Sequence, residues 1–477
     1  MKNHKKQRNT TQVALFAGAT ALMALSPQLQ AQSSVDALLN KLEQKGILTV
    51  DEAKELKAEN QQDSAADINK AISSKFQMPD WVTNYRLYGD FRGRFDVEST
   101  DSPGNTATGL SGQDRDRLRY RLRVGMVVNM KDDLQVGFRL GSGDSAGNAL
   151  SNNTTLENNG TKKPVWVDAA YGRWTPINDG VWMLMATIGK MDQPFVVSPM
   201  VFDADYTPEG AALQSSYKIN DSHSLALNGA AFTLDEVPGS SRDPFLFGGQ
   251  MLWNANWTSR ISSSLGAGAF SIVNKNALGL SGFPANTANY NAGGVPNNNQ
   301  GNTRNATTGN LRYNYNPILV SANATYILDS FPLYKGTFPI RLAGEYINNP
   351  AVDPATGPAN NYGYWAGIQF GKSGKKGTWD ISYRYQYLEA DAWYDELVDD
   401  DNVAFYANGA TTQPKTGWVG GTNVKGHLIK FNYSFTDSLN FAVTAYLNQL
   451  INDNQNLALG EPKNNALHLM ADLMWKF

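Results

Sequence analysis

Arginines at every second position of one segment are the strongest chemical signal in this sequence. Arg117, Arg119, Arg121 and Arg123 alternate with apolar residues, so in a β-strand all four side chains lie on one face. Four arginines in neighbouring segments fall on the same predicted face: Arg86, Arg92, Arg94 and Arg139. Guanidinium groups that line a passage with low-dielectric walls attract and concentrate anions. These eight residues, the arginine wall, are therefore predicted to line a pore for anions.

An alternative interpretation of the arginine wall stays open from the sequence alone. Acidic residues occur in the same segments, namely Asp90, Asp96, Asp114 and Asp116, and others lie in nearby loops. If they pair with the guanidinium groups, the wall is a structural cluster without a strong field. Opposed charges across a pore are themselves a device for ion selectivity, which favours a role in the pore.

A second group of candidate residues follows the fifth predicted strand, in the segment from Asp192 to Pro208. Its acids, with one at the start of the next strand, are Asp192, Asp203, Asp205 and Glu209. If this segment folds into the barrel, we expect Asp203, Asp205 and Glu209 to face the arginine wall and to create a field across the pore. The alternative is an ordinary outer loop whose acids are solvated.

Residues 395–402 are also acidic, with Asp395, Glu396, Asp399, Asp400 and Asp401. Their spacing does not match the calcium-binding loop of an EF-hand. We interpret them as a solvated loop tip rather than as a site for a divalent ion that bridges lipopolysaccharide. No metal site is predicted.

The elements that position these residues are β-strands, because the apolar residues after Trp81 recur with a period of two. Sixteen strands are predicted, near 82–97, 115–130, 133–143, 165–175, 181–192, 209–219, 222–233, 247–257, 261–272, 313–328, 338–348, 361–371, 377–389, 425–436, 439–450 and 465–477. The connections alternate between short turns and long loops. An even number of strands of about ten residues with this alternation is typical of a transmembrane barrel.

A soluble β-sandwich would show the same period, but three features favour the barrel. A packed sandwich core could not bury a series of arginines cheaply. Aromatic residues occur near strand ends, as in interfacial girdles: Trp174, Trp253, Trp257, Trp365, Trp379 and Trp475. The chain also ends on Phe477 in an alternating strand, which resembles the terminal signal read by the barrel assembly machinery. The predicted fold is all-β, an antiparallel transmembrane barrel of about sixteen strands with a short N-terminal α-helical segment.

The N-terminal residues predict export to the cell outer membrane. Residues 1–31 have a basic start, an apolar stretch and a small residue at a plausible cleavage point, Ala31, as in a secretory signal peptide. Cleavage there would remove four basic residues and no acidic ones, which changes the net charge from −3 to −7. Residues 32–80 carry helical periodicity and are predicted to be a periplasmic helical segment and linker. Residues 81–477 are predicted to be the barrel.

Composition excludes several classes of protein. Cysteine is absent, so there are no disulfides, thiolate metal sites or cysteine nucleophiles. After cleavage only His223, His427 and His468 remain. His223 lies beside a predicted periplasmic turn, His427 begins a strand below a loop, and His468 faces the lumen but has no serine on its own strand. The chain also lacks a glycine-rich phosphate loop and a basic nucleic-acid patch. We therefore predict neither an enzyme nor a cofactor, and no nucleic-acid partner.

Three segments together resemble the Putative porin family of Gram-negative bacteria: DRDRLRYRLRV at Asp114–Val124, GKMDQPF at Gly189–Phe195 and DADYTPEGAA at Asp203–Ala212. The stretch GILTVDEAKELKAE at Gly46–Glu59 is similar to the short helical segment that precedes the barrel in this family. The resemblance implies an outer-membrane barrel and a passive channel. Better-known porins are often homotrimers, which makes a homotrimer a possible assembly of this chain.

These observations predict an outer-membrane porin with a water-filled channel for passive diffusion of small hydrophilic solutes and ions. The arginine wall predicts a preference for anions. The expected partners are these solutes, outer-membrane lipid and lipopolysaccharide, and the barrel assembly machinery through Phe477. The alternative function is structural: a barrel with a lumen filled by loops, which ties the membrane to the cell wall through residues 34–75.

Overall fold

The computed structural model describes residues 79–101, 114–145, 147–237, 241–278, 300–304, 310–353, 359–406, 417–452 and 465–477. The predicted signal peptide and nearly all of the predicted helical segment lie outside these residues. No helix in the described part of the chain is long and apolar enough to cross a membrane.

Nineteen strands occur in the described residues. They are β1 (Val82–Thr100), β2 (Arg115–Met130), β3 (Leu134–Ser142), β4 (Thr154–Thr155), β5 (Val165–Asn178), β6 (Trp182–Lys190), β7 (Glu209–Lys218), β8 (His223–Thr233), β9 (Phe245–Asn256), β10 (Ile261–Val273), β11 (Ile318–Leu328), β12 (Phe338–Asn348), β13 (Tyr362–Gly371), β14 (Trp379–Leu388), β15 (Val403–Tyr406), β16 (Gly417–Gly420), β17 (Val424–Ser434), β18 (Leu439–Leu450) and β19 (Ala466–Lys476). Single turns of 3-10 helix lie at Lys131–Asp133, Asn158–Gly160, Lys275–Leu278 and Asp395–Leu397.

Sixteen of these strands form one closed antiparallel barrel. Each pairs with its neighbours in chain order, and β19 returns to pair with β1 from Asp90–Lys476 to Thr100–Ala466. The other three strands lie outside this circuit, since β4 is a two-residue extension beside β2 and β15 pairs only with β16. The prediction of a sixteen-strand antiparallel barrel is confirmed. Closure leaves no unpaired sheet edge, which is what a lipid environment requires.

Side chains alternate between the two faces of the barrel wall. On β2, Leu118, Leu122 and Val124 point outwards and are exposed, whereas the arginines between them point into the lumen. Outward apolar residues recur on the other barrel strands, for example Ile188 on β6 and Leu213 on β7. The period of two in the sequence therefore separates a lipid-facing surface from a polar lumen.

Aromatic residues form a girdle at the rim that carries the short turns, hereafter the turn rim. Trp182 stacks on Tyr217, with ring centroids 4.3 Å apart, and Trp253 contacts Trp257 at 5.7 Å. Trp365, which the sequence analysis assigned to this girdle, instead faces the lumen, where the guanidinium of Arg384 lies 5.7 Å from its ring centroid. Successive residues of a strand point to opposite faces of the barrel wall, and Trp365 is at one of the positions that point into the lumen.

Two long loops leave the opposite rim and fold into the lumen. The first inward loop is residues 191–208, between β6 and β7, and the second is residues 389–406, which follow β14 and include β15. Both contribute fully buried side chains, including Met200, Val201 and Trp393, to one apolar cluster. This inner core also contains lumen-facing residues of the barrel wall: Phe232, Leu246, Phe270, Leu319, Ile347 and Leu388.

Gly189, at the end of β6, sets the chain direction into the first inward loop. Its φ of +115° is in a region that side-chain-bearing residues rarely adopt, and a Cβ there would collide with the backbone carbonyl oxygen of Ala170. We expect Gly189→Ala to lower the free energy of unfolding by about 1–3 kcal/mol. Urea denaturation of the refolded barrel measures this. Gly172→Ala is the matched control, because a Cβ at Gly172 meets nothing within 4 Å; equal stability losses in both variants would contradict the argument.

The arginine wall and the candidate pore

The arginine wall is built by the register between β1 and β2. Arg92 lies directly opposite Arg121, and Arg94 lies opposite Arg119. Like charges in such cross-strand positions repel, so the register is stable only if acids lie between them. The same register supplies some of these acids, since Asp90 is opposite Arg123 and Asp96 is opposite Arg117.

Acids on the barrel wall pair with most of these arginines. Asp90 contacts both Arg121 and Arg123 at 2.9 Å. Asp96 contacts Arg117 at 3.1 Å and Arg119 at 3.2 Å. Further acids that take part are Glu98 with Arg117, Asp472 with Arg92 and Arg94, and Asp168 with Arg139. Asp114, expected as a neutralising acid, instead accepts a hydrogen bond from the Ser99 hydroxyl.

Acids from the two inward loops complete the neutralisation. The Asp205 carboxylate of the first inward loop lies 2.9 Å from Arg121 and 3.4 Å from Arg123. Asp401 of the second inward loop lies 3.0 Å from Arg94. With Asp192, which is 2.9 Å from Arg139, eight carboxylates contact the wall: Asp90, Asp96, Glu98, Asp168, Asp192, Asp205, Asp401 and Asp472. Eight arginines thus face eight acids, so the wall has little net charge.

Two predicted site residues, Asp203 and Glu209, do not face the arginine wall, and a third, Arg86, differs from the other wall arginines in its contacts. Arg86 is in the lumen but contacts no acid among the described residues; its guanidinium lies 5.6 Å from the ring centroid of Tyr88. Glu209 does not reach the wall and pairs with Lys190 near the surface at 3.1 Å. Asp203 is buried away from the arginines, where its carboxylate accepts hydrogen bonds from the backbone N–H groups of Asp205 and Asp400.

The two inward loops are joined in the lumen by direct contacts. The indole N–H of Trp393 donates to the Val201 carbonyl oxygen at 2.8 Å, and the Asp203 N–H donates to the Leu397 carbonyl oxygen at 2.8 Å. The Phe202 ring meets Trp393 edge to face, with centroids 5.8 Å apart. The loops therefore form one packed unit, the loop plug, instead of two independent loops.

The acids of the loop plug are in two electrostatic environments. Burial, together with the neighbouring Asp400 and Asp399, raises the pKa of Asp203 well above its usual value. Burial alone would also raise the pKa of Asp205, but Arg121 and Arg123 outweigh it and lower this pKa. In the same way Arg94 and His468 outweigh burial at Asp401 and lower its pKa to about 2. The pKa is therefore lowered at Asp205 and Asp401, which contact wall arginines, and raised at Asp203, which contacts none.

Two clusters have atoms close enough together to hold a metal ion. Atoms of Asp203, Asp399 and Asp400 lie within 4.8 Å of one another, as do those of Asp96, Glu98 and His468. In the second cluster the ligand atoms are already engaged, because Arg117 contacts both carboxylates and His468 contacts Asp96 at 2.9 Å. The acids predicted to form a solvated tip at 395–402 are buried inside the barrel, so that interpretation was wrong.

Accessible basic residues lie on a different part of the lumen, where the sequence analysis found no signal. Arg341 on β12, Arg384 on β14 and Lys430 on β17 have the inward parity of their strands, and we call them the basic ledge. Arg341 and Lys430 are exposed and make no ion pair with any residue that the structure describes. Arg384 lies 3.6 Å from Asp399 of the loop plug. Arg341 lines cavities of about 180 and 840 Å³, and Arg384 also lines the smaller one.

The comparison with protein families gives one match, to the family described as Putative porin, over residues 96–323. Residues 96–323 are thus similar to the Putative porin family, and the resemblance predicted from the sequence is confirmed. The matched range contains most of the arginine wall and the whole first inward loop, and it ends before the basic ledge. A search of curated proteins found no match.

Several solved structures are similar to this chain. A high-pH structure of OprB from Pseudomonas putida aligns with a TM-score of 0.48 and 10% identity, covering 82% of this chain and 94% of that chain. The outer-membrane channel DcaP of Acinetobacter baumannii aligns with a TM-score of 0.40 and 14% identity, covering 83% and 97%. OmpF of Salmonella typhi, in complex with daunomycin, aligns at 0.42 and 12%, covering 82% and 97%.

Proposed function

We propose that this porin allows small hydrophilic solutes to diffuse passively across the outer membrane, with a preference for anions. The observation that carries the proposal is the lumen itself. A closed barrel has apolar residues outside and a continuous set of ionised and amide side chains inside. The loop plug packs against β8–β14 through the inner core and contacts the arginine wall through Asp205 and Asp401. The proposed solute path therefore runs beside the plug, along the lumen wall that carries the exposed residues Arg341 and Lys430.

The arginine wall and the constriction acids Asp192, Asp203, Asp205 and Glu209 have different proposed roles. The wall binds Asp205 and Asp401 and thereby fixes the loop plug, while its paired charges leave a weak field for passing ions. The preference for anions comes mainly from lumen cations without an acidic partner among the described residues, namely Arg86, Arg341 and Lys430. Lumen charges in a low-dielectric wall act on passing ions more strongly than surface charges do.

The test is single-channel recording of refolded residues 32–477 in a planar bilayer under a salt gradient. We expect discrete current steps and a reversal potential on the anion side. A reversal potential that indicates cation selectivity would support the proposed channel and refute the proposed preference for anions. Absence of steps from protein shown to be folded would refute the open channel.

Charge reversal in the basic ledge should move that potential. We expect Arg341→Glu with Lys430→Glu to reduce the anion-to-cation permeability ratio by about fivefold, the factor for about 1 kcal/mol of charge interaction at 4 Å in water. Arg260→Glu is the control, because Arg260 lies in an exposed turn and pairs with Asp329. An equal shift in the control would assign the effect to overall charge.

Assembly is a second part of the proposal. Phe477 is exposed and lies at the β1–β19 closure, where its N–H and carbonyl oxygen bond with Gly89. This position suits recognition of the terminal aromatic residue by the barrel assembly machinery before closure. We also propose export through the signal peptide of residues 1–31 and assembly as a homotrimer, which cross-linking in outer membranes tests.

One observation favours the structural alternative, in which the barrel tethers the membrane to the cell wall. The inner core packs the two inward loops together, and this packing resembles a closed lumen more than a wide pore. Folded protein without conductance, together with looser wall attachment after deletion of residues 34–75, would favour the tether.

A further inference from the structure

We propose that the basic ledge is a binding subsite for small dianionic solutes, recognised through their carboxylate or phosphate groups. The inference rests on the proposed channel function, because it names the class of solute that the channel handles. It concerns residues 341, 384 and 430, which all lie outside the range matched by the family.

The register of four adjacent strands places two of the ledge residues, Arg341 and Lys430, in one row. Arg341 is opposite Gln369, Gln369 is opposite Ser382, and Ser382 is opposite Lys430. Three steps of about 5 Å separate the backbones of Arg341 and Lys430 by about 15 Å. Both side chains are long and lie on a concave wall, so their cationic ends approach each other over Gln369 and Ser382. This spacing suits one solute with two anionic ends, and the amide and hydroxyl between them can donate hydrogen bonds to it.

The ledge cations are available, unlike those of the arginine wall. Arg341 and Lys430 have no acidic partner among the described residues, whereas each wall arginine except Arg86 contacts at least one carboxylate. Asp380, the nearest acid on β14, is buried and accepts hydrogen bonds from the Ser373 N–H at 2.9 Å and from Asn432 at 2.6 Å. Anions that reach the ledge therefore meet the exposed side chains of Arg341 and Lys430, while the Asp380 carboxylate is buried and already hydrogen-bonded.

The space beside Arg341, at one end of the row, is large enough for such a solute. The cavity of about 840 Å³ extends from Arg341 and Gln369 to the turn rim, and its lining adds Lys335, Lys372 and Lys375. The smaller cavity shares Arg341 and Gln369 and adds Ser382 and Arg384. Typical small-molecule sites occupy about 300–1,000 Å³. Lysines near the rim would draw anions towards the row by long-range attraction.

Arg384 connects this subsite to the loop plug. Its guanidinium is 3.6 Å from Asp399, and its buried Nε has no hydrogen-bond partner in the described residues. A bound carboxylate or phosphate group can take this free donor and compete with Asp399 for the guanidinium. Binding at the ledge therefore weakens one contact that holds the second inward loop.

Isothermal titration of the refolded, detergent-solubilised barrel tests the proposal. The probes are succinate, inorganic phosphate and acetate at pH 8 and constant ionic strength. We expect both dianions to bind at least tenfold more tightly than acetate, and Arg341→Gln with Lys430→Gln to remove this difference. Binding of only one dianion would also support the subsite and would identify its anionic group. Equal affinity for acetate and the dianions, or unchanged binding in the double variant, would overturn it.

Controls separate this outcome from that of the channel. Arg260→Gln should leave dianion binding unchanged, and the single variants Arg341→Gln and Lys430→Gln replace the double variant if it fails to fold. Current steps without selective dianion binding would refute the subsite and keep the channel. Selective binding of dianions without current steps would support the proposed subsite and refute the proposed channel function.

Discussion

Replacing Asp205 and Asp401 with asparagine should increase both the conductance and the anion preference of the channel. These carboxylates join the loop plug to the arginine wall at Arg121 and Arg94, at 2.9 and 3.0 Å. Their removal leaves the eight wall arginines facing six acids, so the wall gains a net positive field. Breaking a largely buried pair by removing one partner costs about 3–5 kcal/mol, discounted here because the lumen is partly hydrated. Reversal potential and single-channel conductance measure the two effects.

The control for this experiment is Glu209→Gln. It removes one negative charge close to the same loop but breaks only an exposed contact with Lys190. We expect its current and selectivity to match those of the parent protein. If the double variant also behaves like the parent, the loop acids do not fix the plug and the proposed role of the arginine wall is wrong.

Trp393→Ala should release the second inward loop from the lumen. Trp393 is fully buried, donates a hydrogen bond to Val201 and packs against Phe202 and Phe270. Replacing a buried tryptophan with alanine costs about 3–5 kcal/mol of stability, and here that loss falls on the packing of the two inward loops. We expect larger and noisier current steps and faster proteolysis within the second inward loop.

Trp182→Ala is the control variant, because it makes the same substitution of alanine for tryptophan outside the loop plug. Trp182 lies on the outer surface and stacks on Tyr217, so its loss should weaken the girdle without changing the current. Normal conductance in the Trp393 variant, with the loop still protected from protease, would show that contacts at Asp399 and Asp203 hold the plug without the indole.

The barrel was predictable because its signal repeats. Every strand exposes one face to lipid, so a period of two recurs from Tyr85 to Trp475, and the same parity identifies the lumen face of the arginine wall. For Trp365 two signals disagree. Its place in the alternating pattern of β13 indicates the lumen, whereas its position near a strand end indicates the aromatic girdle. That assignment failed because strand ends supply aromatic residues to both faces.

The loop plug and the basic ledge had no comparable signal. Loops lack a sequence period that predicts their conformation. A run of acids such as that at 395–402 is usually solvated, but here Arg94 pairs with Asp401 and the Tyr446 hydroxyl donates a hydrogen bond to Asp399. Those partners are known only after the barrel closes. Arg341, Arg384 and Lys430 each stand alone in their strands, and only the register across β12–β17 brings them into one group.

The pairing of β1 with β19 also bears on how the chain is made. Arg94 contacts Asp472 at 2.8 Å across that closure, although 378 positions separate them in the chain. The edge of β1 and the guanidinium of Arg94 therefore have partners on a strand that is translated after the other fifteen strands of the barrel. A chain without this strand would keep an open edge at β1, and Arg94 would retain Asp401 but lose Asp472. The closure thus makes an incomplete barrel physically different from a complete one at the margin of β1.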